Sequence, residues 1–186
     1  LADGGAGHYR NCINAVYEHS PGVGLELLCS DLDGNLEALA TLLEALPLRV
    51  FAHNVECVPR LDSVVRDPRA SFDQSLQVLT EAKRLRPDLL IKTSIMVGLG
   101  ESDEEVVEAM QRLRGAGVDM ITLGQYLQPS YKHLTVDRFP EPGKFADWDR
   151  MARNLGFRAV ASGPLVRSSY RAGRLWEEAL GGEPVV

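Results

Sequence analysis

The sequence predicts an α/β fold built on a parallel sheet, and two observations support this. Short apolar runs that suit buried strands alternate along the chain with amphipathic segments of helical period. The runs are mostly continuous instead of alternating, as expected for parallel strands that are covered on both faces. Right-handed strand–helix–strand units leave two candidates, a doubly wound sheet and a (β/α) barrel. A complete barrel takes about 250 residues, so a barrel in 186 residues would be partial.

Five apolar runs are the predicted strands. In chain order they are Gly24–Leu28, Arg49–Ala52, Ile91–Val97, Asp119–Leu123 and Arg158–Ala161.

Three helices have clear sequence signals between these strands. An apolar stripe runs from Phe72 to Leu85, and Pro87 ends it. Ser102, followed three residues later by Glu105, predicts a capping box at the start of the second helix. The third helix carries a stripe of Phe, Trp, Met, Ala and Leu residues from Phe145 to Leu155. These stripes indicate core packing more strongly than a cofactor site.

Composition excludes several functional classes. The net charge of -6 argues against a nucleic-acid binder, which relies on clustered Lys and Arg. No apolar run approaches the ~20 residues that span a bilayer, so no membrane segment is expected. Cys12, Cys29 and Cys57 are isolated and predict reduced thiols instead of a metal site. The chain begins at Leu1 without a Met, so we expect part of a longer protein.

Polar or glycine-rich segments follow every predicted strand, where parallel α/β folds bind their ligands. The segments are CSDLDG (Cys29–Gly34), HNVE (His53–Glu56), GLGES (Gly98–Ser102), GQYLQPS (Gly124–Ser130) and SGPLVRSSY (Ser162–Tyr170). DGGA at Asp3–Ala6 would follow a strand upstream of the chain. The sequence therefore predicts a site at the carboxyl edge of the sheet.

The GLGES segment has two interpretations. Glycines after a buried strand allow a ligand to approach the backbone, and the helix that follows offers N–H groups to an anion. A plain turn is about equally expected, since neither a P-loop nor a dinucleotide fingerprint is present.

Buried polar residues suggest a cavity. Glu56 lies just past a strand and Lys92 lies inside one, and both need partners. His53 with Asn54 is more simply a satisfied buried pair. Lys92 also permits an aldolase-like function through a Schiff base, which we regard as a distant third hypothesis.

Five longer segments of the sequence resemble a known family. HNVECVPRL, VRDPRASFDQSLQVL, KTSIMVGLGES, TLGQYLQPS and GPLVRSSYRAG occur in the order found in lipoyl synthases. These are radical S-adenosylmethionine (SAM) enzymes, and the resemblance implies a partial (β/α) barrel of the radical SAM type whose N-terminal strand or strands are missing. We expect residues 1–162 to form this barrel, and residues 163–186 to add the RSSY segment and a closing helix of the same domain.

The resemblance implies a reaction, its cofactors and its partners. The family inserts two sulfur atoms into a protein-bound octanoyl chain, using SAM and two 4Fe–4S clusters. Its partners are an octanoylated lipoyl-carrier domain and an electron donor such as a ferredoxin or flavodoxin. KTSIM, AHNVE and VRDPRASFDQSL are most similar to the mitochondrial branch. A mitochondrial matrix location is therefore expected, with the bacterial cytoplasm as the alternative.

Site residues follow from the resemblance position by position. DGGA is similar to the glycine segment that meets the amino group of SAM, which implicates Gly4 and Gly5. GLGE resembles the segment that passes the adenine and ribose, which implicates Gly98 and Gly100. Asn54 and Glu56 stand where strand-end groups approach SAM. RSSY carries the serine that ligates an iron of the auxiliary cluster, for which we expect Ser169, with Ser168 as the alternative.

Two departures from the family limit the prediction. Ser30, Asp31 and Leu32, directly after Cys29, stand where the family usually has Pro, Asp and Phe, and Cys57 stands where Thr or Asn is usual. The family's two cysteine triads precede DGGA and are absent from these residues, so we expect the chain alone to be inactive. The alternative is a non-catalytic α/β domain, derived from the family, that binds an acylated carrier domain.

Overall fold

A computed structural model describes residues 1–44 and 47–182, and these residues form a five-stranded sheet in sequence order. All neighbouring strands are parallel. A doubly wound sheet reverses its strand order at a switch point, which this sheet does not do. The fold is therefore the predicted partial (β/α) barrel. The strands are β1 (Leu25–Leu28), β2 (Leu48–Ala52), β3 (Leu90–Val97), β4 (Met120–Gln125) and β5 (Ala159–Gly163).

Helices connect and flank the strands. Those found among the described residues are α1 (Ala6–His19), α2 (Leu36–Leu43), α3 (Asp62–Val65), α4 (Phe72–Leu85), α5 (Asp103–Gly115), α6 (Pro142–Asn154) and α7 (Ala172–Ala179).

Local side-chain contacts explain where the main helices begin. The Ser71 hydroxyl accepts a hydrogen bond from the Gln74 amide at the start of α4. At the start of α5, Ser102 and Glu105 form the predicted capping box. Pro142, whose fixed φ suits the first helical turn, opens α6.

The outer face of the sheet carries the main core. Helices α2, α4, α5 and α6 contribute buried residues to it, and the outward residues of the strands pack against them. Phe145 and Trp148 of α6 are fully buried and contact each other edge to face, with ring centroids 5.4 Å apart. Met151, which the sequence placed in this stripe, is instead exposed.

The inner face of the sheet is partly polar. Residues opposite one another in a parallel register share a face, so Ala52, Lys92, Met120 and Ala159 form one inner row. The next row contains Ser94, Thr122 and Ala161. Leu175 and Ala179 of α7 join the apolar residues of this face. Helix α7, which lies in the C-terminal segment, thus packs its apolar residues on the interior of the partial barrel.

The five predicted strands are confirmed with shifts of one or two residues at their ends. The sequence did not identify α1 or α2. Residues 183–186 of the predicted C-terminal segment lie outside the described residues. Of the helices described, none is long and apolar enough to cross a membrane.

Candidate functional site

A cavity opens at the carboxyl ends of the strands, where the sequence predicted a site. Its volume is about 210 Å³, below the roughly 300–1,000 Å³ of typical small-molecule sites, so it accommodates part of a ligand. Its polar lining comes from Asn54, Glu56, Ser94, Gln125, Arg167 and Ser168. Three of the predicted site residues, Asn54, Glu56 and Ser168, therefore share one cavity.

Glu56 is held in the cavity wall by an unusual backbone. Its φ of 68° lies in the left-handed region, which costs a non-glycine residue free energy. Its N–H donates to the Ser94 carbonyl at 3.2 Å, and its own carbonyl accepts from the Met96 N–H at 2.8 Å. This bridge to β3 fixes the residue, and strain of this kind is concentrated at functional sites.

The Glu56 carboxylate has one close donor. Asn54 Nδ2 donates to Glu56 Oε1 at 3.2 Å. Burial raises the pKa of Glu56 above its ordinary value, and the Asn54 hydrogen bond and the Arg66 charge partly oppose this shift. A carboxyl group with a raised pKa and a single close donor suits a ligand that brings its own cation or hydroxyl donors.

The Gly98–Gly100 segment is built around its own side chains. Glu101 accepts hydrogen bonds from the Gly98 N–H at 2.7 Å and from the Leu99 N–H at 2.9 Å. Arg138 in turn lies 3.3 Å from the Glu101 carboxylate. These two N–H groups lie in the turn before α5. At the start of α5 itself, where the sequence predicted N–H groups for an anion, the Ser102 and Glu105 N–H groups are used within the capping box.

Packing explains Gly98, and the positive φ explains Gly100. Gly98 has φ 98°, and a Cβ there would overlap the Gln125 side chain and lie 2.5 Å from the Arg138 carbonyl oxygen. Gly100 has φ 104° and faces the Asp137 side chain at 3.7 Å. Contacts within the protein therefore require Gly98, and its role toward a cofactor remains a prediction.

Gly4 and Gly5 lie at a separate position. Gly4 and Asp31 line a second cavity beside the end of β1, and a Cβ on Gly4 would be 2.9 Å from the Leu32 Cα. Asp3 accepts hydrogen bonds from the Gly7 and Gly5 N–H groups, which lower the pKa of its carboxyl. Of the predicted cofactor residues, Asn54 and Glu56 line the main cavity and Gly4 lines the second one, whereas Gly5, Gly98 and Gly100 are not among the lining residues of either.

The RSSY segment contributes unequally to the main cavity. Arg167 and Ser168 line it, whereas Ser169 is exposed and is not among its lining residues. Ser169 as a ligand of iron remains a prediction, and the alternative Ser168 is the serine that faces this cavity.

His53 has a structural role, in line with the prediction that it is a buried histidine with satisfied hydrogen bonds. Its Nδ1 lies 2.9 Å from the Cys29 carbonyl oxygen, and its Nε2 lies 2.8 Å from the Ser75 hydroxyl. Burial lowers the pKa of His53, which favours the neutral ring. Its partner is therefore Ser75, and not Asn54 as the sequence suggested.

Cys29 and Cys57 are buried, and burial raises the pKa of each thiol to about 12. Cys12 is exposed on α1. Within the described part of the chain, no group of three or more His, Cys, Asp or Glu side chains could hold a metal ion.

Lys92 pairs with a residue that the sequence did not single out. Its Nζ lies 2.7 Å from Glu26 Oε1, and the Lys92 side chain is 1% exposed. The sequence suggested a polar cavity from Glu56 and Lys92 together. Lys92 is not among the residues lining the main cavity, so only Glu56 contributes to it. A carbonyl substrate has no route to this amine, which argues against Schiff-base chemistry. An acid inside the apolar run GLELL was the available signal for Glu26.

Comparisons with known proteins agree with the resemblance. The model of the radical SAM superfamily matches residues 2–124. Lipoyl synthase 2, chloroplastic, of Zea mays is 54% identical over 97% of this chain and 49% of its own length. Lipoyl synthase, chloroplastic, of Arabidopsis thaliana is 53% identical over 97% of this chain and 45% of its own length. The chain spans about half the length of the curated relatives it matches.

These names correct the expected location. A third relative, from Populus trichocarpa, is also a chloroplastic lipoyl synthase, 54% identical over 100% of this chain and 49% of its own length. The predicted mitochondrial location, with its bacterial alternative, is therefore wrong. The strings that suggested it lie on β2, β3, α4 and the loops beside them, and such segments of the folded domain carry no targeting signal.

Proposed function

This chain belongs to the radical SAM superfamily, and on that premise we propose that it is part of a lipoyl synthase. The proposed reaction inserts two sulfur atoms into an octanoyl chain carried on a lysine of a carrier domain. Identity of 54% over 97% of the chain to a named lipoyl synthase is the observation that carries this proposal. A carboxyl-edge cavity with a half-buried acid, Glu56, agrees with it.

We propose that SAM binds along the carboxyl edge, near Gly4, Gly5, Asn54, Glu56, Gly98 and Gly100. The Glu56 carboxylate and the Asn54 amide suit the hydroxyl and cationic groups of SAM, so the residues present fit part of this molecule. When bound and reduced, SAM supplies the radical that abstracts hydrogen. The protein contributes placement, and the contacts of Glu101 with Gly98 and Arg138 hold the segment after β3 in a fixed conformation.

Iron–sulfur clusters do not fit the described residues by themselves, because thiolates hold such clusters and no suitable group is present in that part of the chain. We propose that the thiolates come from sequence that these residues do not span, with Ser169, or alternatively Ser168, adding one oxygen ligand. Anaerobic reconstitution with iron and sulfide tests this. About eight irons bound stably per 186-residue chain, as two four-iron clusters require, would contradict it.

We also propose a domain organisation and two partners for this chain. Residues 1–162 form the partial barrel, and residues 163–186 complete the same domain with RSSY and α7. The partners are an octanoylated carrier domain and a low-potential electron donor, such as a ferredoxin or flavodoxin.

A chimaera tests the proposed function without knowledge of the parent gene. The 186 residues replace the matching half of the maize lipoyl synthase, and the reconstituted chimaera is given SAM, reductant and an octanoyl-lysine peptide. We expect the peptide to gain two sulfur atoms by mass spectrometry. A soluble chimaera with full iron content that leaves the peptide unchanged would favour the non-catalytic carrier-binding alternative.

A further inference from the structure

One guanidinium at the main cavity is held in place by backbone carbonyls. Arg167 Nη1 lies 2.6 Å from the Val166 carbonyl oxygen, 3.4 Å from that of Gln125 and 3.5 Å from that of Pro164. These acceptors belong to the end of β4 and to the loop after β5. The arginine is therefore oriented before any ligand binds, which reduces the entropy lost on binding.

A glycine makes this arrangement possible. A Cβ on Gly124 would overlap the Val166 carbonyl oxygen and lie 3.4 Å from Arg167 Nη1. Gly124 is not among the glycines with positive φ, so space and not conformation requires it. The close approach of the RSSY segment to β4 thus depends on the absence of a side chain at position 124.

The other edge of the guanidinium is left unused. Among the residues that the structure describes, Arg167 Nε and Nη2 have no hydrogen-bond partner, and Arg167 forms no ion pair there. Arg167 lines the main cavity. Two donor nitrogens of this exposed guanidinium, Nε and Nη2, are therefore available to an acceptor at this wall.

Apolar side chains also line the cavity that Arg167 borders. Met96, Leu127 and Val166 are among them, together with the polar Gln125 and Ser168. Val166 also borders a neighbouring cavity of about 400 Å³ that Leu165 and Tyr170 help to line. A guanidinium edge near apolar side chains suits a long apolar chain that carries a carbonyl group.

We propose that Arg167 binds the amide carbonyl oxygen of the acyl-lysine substrate, and that the Val166 side of the cavity receives the acyl chain. This assignment rests on the proposed function. A free fatty acid is a poorer match, because Glu56 places another acid in the same cavity and a second carboxylate would be repelled. Arg167 is thus a substrate-binding residue in this proposal.

Binding to the 186-residue chain tests the assignment. The probes are an Nε-octanoyl-lysine peptide and the same peptide with an octyl ether in place of the amide. Arg167→Met should weaken the amide peptide about tenfold or more, the size expected for a lost hydrogen bond from a charged donor. The ether peptide should be little affected. Arg174→Met is the matched control, since Arg174 is exposed in the same segment and is not among the lining residues of either cavity.

Equal weakening of both peptides, no weakening, or no binding by the unsubstituted chain would each overturn the assignment. The chimaera separates this failure from failure of the proposed function. If it forms lipoyl peptide and Arg167→Met leaves the KM for the octanoyl peptide unchanged, only the role of Arg167 is wrong. If the unsubstituted chimaera forms no lipoyl peptide, the proposed function itself fails.

Discussion

Gly98 and Gly22 offer a controlled test of why the GLGE segment contains glycine. Both residues have φ 98°, but a Cβ on Gly22 meets nothing within 4 Å, whereas one on Gly98 lies 2.5 Å from the Arg138 carbonyl oxygen. Substitution by Ala therefore imposes the same backbone strain at both positions and a steric overlap at only one. The difference between the two variants measures the overlap.

The expected costs follow from these two contributions. Left-handed backbone costs an L-residue about 1–2 kcal/mol, which is the whole expected effect of Gly22→Ala. Overpacking a tight site typically adds about 1–3 kcal/mol, so Gly98→Ala should lose about 2–5 kcal/mol. The Gln125 side chain can move aside, but the Arg138 carbonyl is backbone and must shift with its loop.

Urea unfolding followed by circular dichroism measures both free energies of unfolding in the absence of ligand. Equal destabilisation by the two substitutions would refute the packing argument. If Gly98→Ala were as stable as Gly22→Ala and yet bound SAM poorly, close approach of the ligand would be the reason for glycine. A destabilised Gly98→Ala chain is the result that the structure favours.

Three further predictions concern buried polar groups. Burial lowers the pKa of His53 in the folded chain, so its contribution to stability is present above the ordinary histidine pKa of about 6.5 and is lost as pH falls below it. The urea midpoint should therefore fall with acidification more steeply in the natural chain than in His53→Gln. Equal dependence of the two midpoints on pH would contradict this. Iodoacetamide at pH 8 should alkylate Cys12 alone in the folded chain, since burial raises the pKa of Cys29 and of Cys57 to about 12. In urea, mass spectrometry should find all three cysteines modified. Rapid labelling of a buried thiol before unfolding would show the prediction to be wrong. Lys92→Met should lower the free energy of unfolding by about 3–5 kcal/mol, because it leaves the Glu26 carboxylate without its partner. Adding Glu26→Gln to this variant should recover part of the loss. Strictly additive losses in the double variant would show that the two residues are not coupled.

The fold was largely predictable because its signals are local. Continuous apolar runs identify the five strands, and the capping box at Ser102 and the stop at Pro87 mark helix ends that the structure confirms. Helices α1 and α2 gave weaker signals for opposite reasons. α1 buries only Ala6 and Ile13, and α2 is a short and strongly apolar run that resembles a buried strand.

The candidate site was predictable in outline, because parallel strands place their carboxyl ends at one edge. This rule, applied to the sequence, identified Asn54, Glu56 and the RSSY segment as neighbours, and all three contribute to the cavity. It did not distinguish residues that line the cavity from residues that merely lie near it. Ser168 and Ser169 differ in this respect although they are adjacent in the chain.

The sequence by itself determined the strands, the helix ends, the family resemblance and the edge of the sheet at which chemistry is expected. Only the tertiary structure decided partners that are distant in the chain. Lys92 pairs with Glu26 because the register of three strands brings both to the inner face, and Glu101 accepts hydrogen bonds from the Gly98 and Leu99 N–H groups. Arg167 faces the cavity because Gly124, on a different strand, has no side chain to keep the loop away. Such contacts depend on distances between separate elements, which no local pattern along the chain encodes.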